Sequence, residues 1–597
     1  MRLLKNLSYR FHIMVPLVFL CHFSLLCTAQ DNTTKLPNNP ISKQIKFPAE
    51  DDHEFDEGSA IQSFQLNPNK QKALRDLGLI WGFLKYYHPQ VTAGNFNWDY
   101  ALFRILPKVI AIPNQQQRDK VLTAWIKTLG TFEINDTTVL EKRMIKQMPD
   151  LAWIDRSGFS SALQQELIKI SKAKRNDYSY YIGQVKNIGN PLIKHENPYP
   201  NMDPTDVGYR ILSLYRYWNI IAYYFPYKNL IGKDWKEVLD EFIPKIVSAY
   251  DAQSYTLTIL ELIGNIHDTH ANIWGKNEVL NKLRGTQYAA CYIDFIEGKA
   301  IVTGYHDKKK GLESGLVIGD VVTLINGKSI DEIISAQLKY RPASNYSTQL
   351  RDIANDLLRS NDSTIQLSYQ HGTETRSTSI PTFPTGTIDV YGKYLNKDTC
   401  FRMLTPDIAY LNNGSLKRAY LPQLTKEISQ AKGLIIDCRN YPSDFPFREL
   451  CSYLLPQSTP FNSITLADFA KPGLFYSIGQ LKIGAANRDY YNGKIIILVN
   501  ENTQSAAEYS AMAYSAHPRA KVMGSTTAAA DGDVSRFYLP GQLFTMFSGI
   551  GIYYPNGDEA QRSGIKIDIP VSPTIKSIRA EKDELLDHAI QYLLQAD

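Results

Sequence analysis

The spacing of apolar residues along this chain changes twice. From about residue 70 to 275 they recur at helical spacing, in runs such as LGLIWGFLKYYHP and LYRYWNIIAYYFP, the signature of helices with a buried face. Each of these two runs opens a series in the same order. An aromatic-rich helix stops at Tyr-Tyr-x-Pro, a tryptophan-led helix follows (FNWDYALFRILPKVI, KDWKEVLDEFIPKIV), and a third helix completes the series (LTAWIKTLGTFEIND, ILELIGNIHDTHANI). The shared order predicts an internal duplication of a helical unit. The two copies end differently. The second closes on His267-Asp268-Thr269-His270 and the first on Phe132-Glu133-Ile134-Asn135-Asp136, so only the second carries imidazoles there.

Residues 285–375 shift to short β-like runs with glycine turns. Within GLESGLVIGDVVTLINGKSIDEII, Gly311 to Gly315 reads as a short helix and Gly319-Asp320 as a tight turn. Val321 to Ile325 reads as a strand and Asn326-Gly327 as a hairpin turn. From 385 to 580 the runs IAYLNN (408–413), GLIIDCR (433–439), KIIILVN (494–500) and AKVMGST (520–526) predict strands buried on both faces. Helical stretches near 417–431, 446–454 and 505–516 alternate with them, and 579–595 reads as an amphipathic helix.

Residues 1–29 read as a signal peptide. Arg2, Lys5 and Arg10 precede an apolar run from Ile13 to Cys27, and Cys27-Thr28-Ala29 has the small-x-small form of a cleavage site. Pro16 and His22 interrupt the run, which argues against a membrane-spanning anchor. The expected location is exported, in the periplasm or cell envelope, with a lipid-anchored Cys27 as the alternative. Residues 30–65 are polar and aperiodic and read as a flexible leader. The formal charge of +5 includes the three basic residues of that first segment. The remainder, at +2, gives no sign of a nucleic-acid partner. No later stretch is apolar enough to span a membrane once the signal is removed. Cys291, Cys400, Cys438 and Cys451 lack metal-ligand spacing, and no metal or organic cofactor is expected.

One segment could carry chemistry on a strand end. In IIILVNENTQSAAEYSAMAYSAHP a buried strand ends near Asn500, a polar turn follows, and a small-residue helix begins at Ser505. A serine there faces free N–H groups and the positive end of the helix dipole, and the N–H of Ala506 could hold an oxyanion. Alone, the segment fits an ordinary helix cap better than a nucleophile. A nucleophilic serine needs a histidine base, itself oriented by a third group. His267 and His270 are the candidates. They could also ligate a metal with Asp268, but no third ligand cluster accompanies them.

The order of these elements resembles the C-terminal-processing (tail-specific) peptidase family, S41, to which the tricorn core also belongs. The resemblance covers about residues 200–580. It rests on Asn502-x-x-Ser505-Ala506-Ala507-Glu508, on Asp268-x-His270, on Asp437-x-Arg439, and on Gly319-Asp320 followed by Ile325-Asn326-Gly327, which is similar to the PDZ domains of secreted proteases. It implies a multidomain α/β (α+β) protein: a signal peptide (1–29), a leader (30–65), helical units at 66–195 and 196–282, a PDZ-like β domain at 283–380 and a crotonase-like α/β catalytic domain at 381–597. By the same resemblance Ser505 is the nucleophile, His270 the base of the tricorn-like branch, and the PDZ-like module a site for polypeptide tails. The serine–lysine style of the family is not expected, because no lysine lies between Val522 and Ile565. The third member is expected to be Glu559, with Gln561 as the alternative. The family's Asn-x-Gly-Gly after the Asp-x-Arg strand is replaced here by Asn440-Tyr441-Pro442-Ser443. Proline has no N–H to offer, so the second oxyanion donor beside Ala506 is left to Tyr441, the expected one, or to Ser443, unless the hole is impaired. The function implied is an exported serine endopeptidase acting on polypeptides. The alternative is a non-catalytic binder of peptides or apolar ligands on the same scaffold.

Overall fold

The computed structural model describes residues 46–135, 144–175, 178–394 and 399–595, and Phe47–Asp597 form one compact unit. The expected signal segment 1–29 and leader residues 30–45 lie outside the described residues.

Side chains of Asn and Asp open the helices of the first part. Asn67, Asn97 and Asn114 cap Pro68–Tyr87, Trp98–Ala111 and Gln115–Thr128. Asp206, Asp234 and Asp251 cap Val207–Tyr224, Trp235–Val247 and Ala252–Gly264. Both series contain one device. Trp81 and Trp98 donate their indole N–H groups to each other's carbonyls at 2.9 Å, and Trp218 and Trp235 do the same at 2.7 and 2.9 Å. Both pairs are 17 residues apart and stack at 6.5 and 6.3 Å. The two lead helices meet at Gly82, where a Cβ would fall 1.8 Å from the Asn219 side chain. That closeness lets Asn219 donate to the carbonyls of Gly78 (3.1 Å) and Tyr215 (2.8 Å).

The helical pattern is interrupted in two places that the periodicity does not show. Met144–Gln147 pairs with Phe475–Ile483, and Ile182–Gln184 pairs with Pro191–Ile193. Strands of three or four residues are too short to display an alternation.

The β region holds an eight-stranded sheet whose edge strand is Cys291–Ile296. Asn326 and Gly327 both have positive φ (49° and 79°), as a two-residue hairpin turn requires. The helix expected from Gly311 begins three residues earlier, as Lys308–Glu313, because Asp307 caps it. Helix Tyr346–Leu357 lies against the edge strand. A cavity of about 120 Å³ between them is lined by Tyr288, Cys291, Tyr292 and Asn355, and also by Val390 and Lys393 of the following linker.

In the last part, strands Phe401–Thr405, Ile408–Asn412, Gly433–Asp437, Lys494–Val499, Ala520–Gly524 and Ile569–Pro570 form one sheet in that order, parallel from the second strand on. Alternate residues serve opposite faces. Leu434, Ile436, Ile495 and Ile497 pack with helices Leu421–Ile428, Phe447–Leu454 and Ala506–Tyr514, while Ile435, Ile496 and Leu498 meet Glu584–Leu594. Helices on both faces explain why these strands read as unbroken apolar runs. The expected helix at 579–595 is instead two, Ile575–Arg579 and Glu584–Leu594, separated at Glu581 (φ 50°). Arg439 ties the second to the sheet by bonding both Asp437 and Asp583, each at 2.7 Å, so the Asp-x-Arg motif serves the fold. Among the described residues no helix is long and apolar enough to cross a membrane, and the four cysteines are free.

Candidate active site

The carboxyl ends of the parallel strands converge, the usual place for a site in an open α/β sheet. Ser505 stands there, between strand Lys494–Val499 and helix Ala506–Tyr514. Its backbone has φ 55° and ψ −117°. A capping serine adopts extended angles; a non-glycine residue in this region carries local strain, which surrounding structure must hold. Several bonds hold it. Thr503 Oγ1 donates to the Cys438 carbonyl at 2.9 Å and accepts the Asn500 N–H at 3.0 Å. Arg351 reaches over from helix Tyr346–Leu357 to the Glu501 carbonyl (2.8 Å) and Gln504 Oε1 (3.2 Å).

The buried Glu508 carboxylate organises the rest of the turn. It accepts the N–H groups of Ser505 (3.0 Å), Ala529 (2.8 Å) and Ala530 (3.0 Å) and the hydroxyl of Thr527 (2.5 Å). With the Ser505 N–H given to Glu508 and that of Ala507 to Gln504 (3.1 Å), no hydrogen bond engages the Ala506 N–H among the described residues. Tyr441 lies in the adjacent loop, past the Cys438 carbonyl that holds Thr503. Ser443, in that same loop, gives its N–H to Gly414 at 3.1 Å.

His270 sits on the turn after helix Ala252–Gly264 and is 2% exposed. Its Nδ1 is 2.9 Å from Ser548 Oγ, which in turn is 3.0 Å from Asp268 Oδ1. Asp268 also accepts the N–H groups of Ser548 (2.6 Å) and His270 (3.0 Å). A carboxylate only accepts, so the Ser548 hydroxyl donates to Asp268 and must accept from His270. The network therefore puts the proton on Nδ1 and leaves Nε2 as a bare acceptor, and Nε2 has no partner. Burial holds the imidazole's pKa below its ordinary value, against the opposing pull of Asp268 and Asp533.

The two halves are joined. Thr269, immediately before His270, donates its hydroxyl to the Ala528 carbonyl at 2.7 Å, and Ala529 donates to Glu508, which holds Ser505. Of the sequence candidates, Ser505, Ala506 and His270 belong to this one connected region. The half-buried carboxylate of Glu559 accepts from Asn229 at 2.8 Å. Gln561 is buried and donates to Ser344 Oγ at 3.4 Å, and that hydroxyl accepts the Thr269 N–H at 3.0 Å. Sequence reasoning missed the Asp268–Ser548 relay. Asp268 was visible beside the histidine, but Ser548 is 278 residues from it and sits in a β-hairpin with no motif. Among the described residues no group of three or more His, Cys, Asp or Glu is placed to hold a metal.

Residues 407–571 match peptidase family S41. This part of the chain is a serine peptidase domain of that family. The S41 match contains the sheet from strand Ile408–Asn412 onward, Ser505, the Glu508 turn and both Glu559 and Gln561, while strand Phe401–Thr405 and His270 lie N-terminal to it. No curated protein sequence matches the chain. Among solved structures, mature CPAF complexed with lactacystin is 12% identical, with a TM-score of 0.50, over 64% of this chain and 98% of that one. A CPAF point mutant is 14% identical, with a TM-score of 0.51, over 64% and 97%. The photosystem II D1 C-terminal processing protease is 16% identical over 61% and 92%, with a TM-score of 0.36. The CPAF likeness is one of fold.

Proposed function

We propose that this S41 protein is an exported endopeptidase that cleaves polypeptides through an acyl-enzyme on Ser505. His270 Nε2 takes the Ser505 proton as Oγ attacks the scissile carbonyl carbon. The Ala506 N–H supports the oxyanion, with a second donor from the Tyr441 loop. His270 then protonates the departing amine, and water, deprotonated by the same nitrogen, releases the acid. Asp268, acting through the Ser548 hydroxyl, holds the tautomer and favours the imidazolium as it forms. Export rests on the basic-then-apolar first 29 residues.

The observation that carries this reading is the strained Ser505 backbone. A protein that only binds peptides needs no serine held at φ 55°; an extended cap would start the helix at lower cost. Hydrolysis of an unfolded protein by wild type and by Ser505→Ala tests it. Turnover is expected to fall at least about 10³-fold with melting temperature nearly unchanged. Comparable turnover by the two proteins contradicts the reading.

A further inference from the structure

Ser344 makes a reciprocal pair with the residue before the candidate base. Thr269 N–H donates to Ser344 Oγ at 3.0 Å, and Ser344 N–H donates to Thr269 Oγ1 at 2.9 Å. Both residues are buried, at 1% and 4% exposure. Ser344 belongs to the segment leading into helix Tyr346–Leu357 and comes from outside the S41 match. Its neighbour Asn345 caps that helix and donates to the Thr527 carbonyl at 2.8 Å, and Thr527 holds Glu508.

We infer that Ser344 is a positioning residue for the peptidase reaction, fixing the Thr269–His270 backbone that carries the proposed base. This rests on the reading of Ser505 and His270 as nucleophile and base. Because the pair is reciprocal, it fixes both position and rotation of the Thr269 peptide, which one bond would not do. The Thr269 hydroxyl has two duties: it accepts from Ser344 and donates to Ala528. That arrangement ties the base segment to the strap over Glu508. Losing the Ser344 hydroxyl strands a buried N–H one residue from the base. Gln561 donates to the same hydroxyl at 3.4 Å, which links it to the Thr269–His270 segment through Ser344.

The test is a mutant cycle read as kcat per titrated active site, KM, and the pH dependence of kcat. Ser344→Ala is expected to lower kcat about 10- to 100-fold with KM within about twofold, the scale of a displaced catalytic group. The acid limb of its pH profile should also move. Thr269→Val, isosteric but without the hydroxyl, should fall by a similar factor, and Thr269→Ser should rescue it. The double variant Ser344→Ala/Thr269→Val should be scarcely worse than either single, since both break one unit. If Ser344→Ala does not fold, the Thr269→Val and Thr269→Ser pair carries the test. A per-site kcat for Ser344→Ala within about twofold of wild type, or fully additive losses, overturns the inference. Retained turnover in Ser505→Ala is a different failure, that of the underlying reading.

Discussion

His270 Nδ1 lies 2.9 Å from Ser548 Oγ, and that hydroxyl alone connects the imidazole to its carboxylate by a short bond, since Asp268 Oδ1 is 3.8 Å from Nδ1. In the proposed mechanism the orienting group is thus a relay. Ser548→Ala should let the imidazole turn or change tautomer. It is expected to lower kcat about 10²-fold or more, with KM little changed; Asp268→Asn should cost as much or more. Steady-state kinetics on a fluorogenic peptide checks both. Equal kcat in Ser548→Ala and wild type would place the orienting group elsewhere.

The base should titrate low. Burial lowers the His270 pKa and Asp268 raises it. In the proposed mechanism activity requires the neutral imidazole, so it is present above this pKa and lost as pH falls through it. The acid limb of kcat is expected below the ordinary histidine value of about 6.5. Removing the Asp268 charge in Asp268→Asn should push the limb lower still, because an opposing charge is gone. A limb above that ordinary value in the wild type contradicts the buried, free Nε2.

Asp531, 2% exposed, has a pKa raised well above the ordinary range by burial and by the nearby Glu508 carboxylate. Its folded pKa lies above its unfolded one, so its contribution to stability is complete below the unfolded value. That contribution is lost as pH rises through the folded one. Asp531→Asn keeps an oxygen for the Gly532 N–H, now accepted at 2.9 Å, and does not ionise. Its melting temperature at pH 8 is expected to exceed that of wild type, with the difference shrinking as pH falls toward about 4. A pH-independent difference means that Asp531 is not the titrating group.

The cavity beside the edge strand Cys291–Ile296 is lined in part by the chain itself. Val390 is buried there, and Lys393 Nζ donates to Asn355 Oδ1 at 2.7 Å. A peptide tail using this groove must displace these residues, which lowers the competent fraction. Val390→Ser with Lys393→Ala is expected to tighten binding of a peptide with an apolar C-terminal residue several-fold, measured by fluorescence anisotropy. An unchanged Kd means that the tail binds elsewhere.

The pattern of the sequence was enough to locate the central strands, since strands with helices on both faces must be apolar throughout. The Asn326-Gly327 turn was equally legible, because few other pairs adopt two positive φ angles. The dihedral angles of Ser505 were not legible. Ser-Ala-Ala-Glu reads as a helix start in either case, and only Thr503, Glu508 and Arg351 holding the turn separate a strained serine from a cap. Glu559 and Gln561 could not be told apart by spacing. They diverge in the fold because Gln561 is enclosed beside Ser344 while Glu559 faces Asn229. Ser548 and Ser344 carry no local signal, since a serine acquires such a role only from what tertiary folding places opposite it.

As proposed, Ser505 forms the acyl intermediate with His270 as its base. Mass spectrometry of the protein mixed with an activated ester and quenched in acid tests it most directly. One acyl group, mapped to Ser505, is expected, formed in a burst by wild type, absent from Ser505→Ala and formed at least about 10³-fold more slowly by His270→Ala. An acyl group on another residue, or turnover with no adduct and no loss in Ser505→Ala, would contradict it.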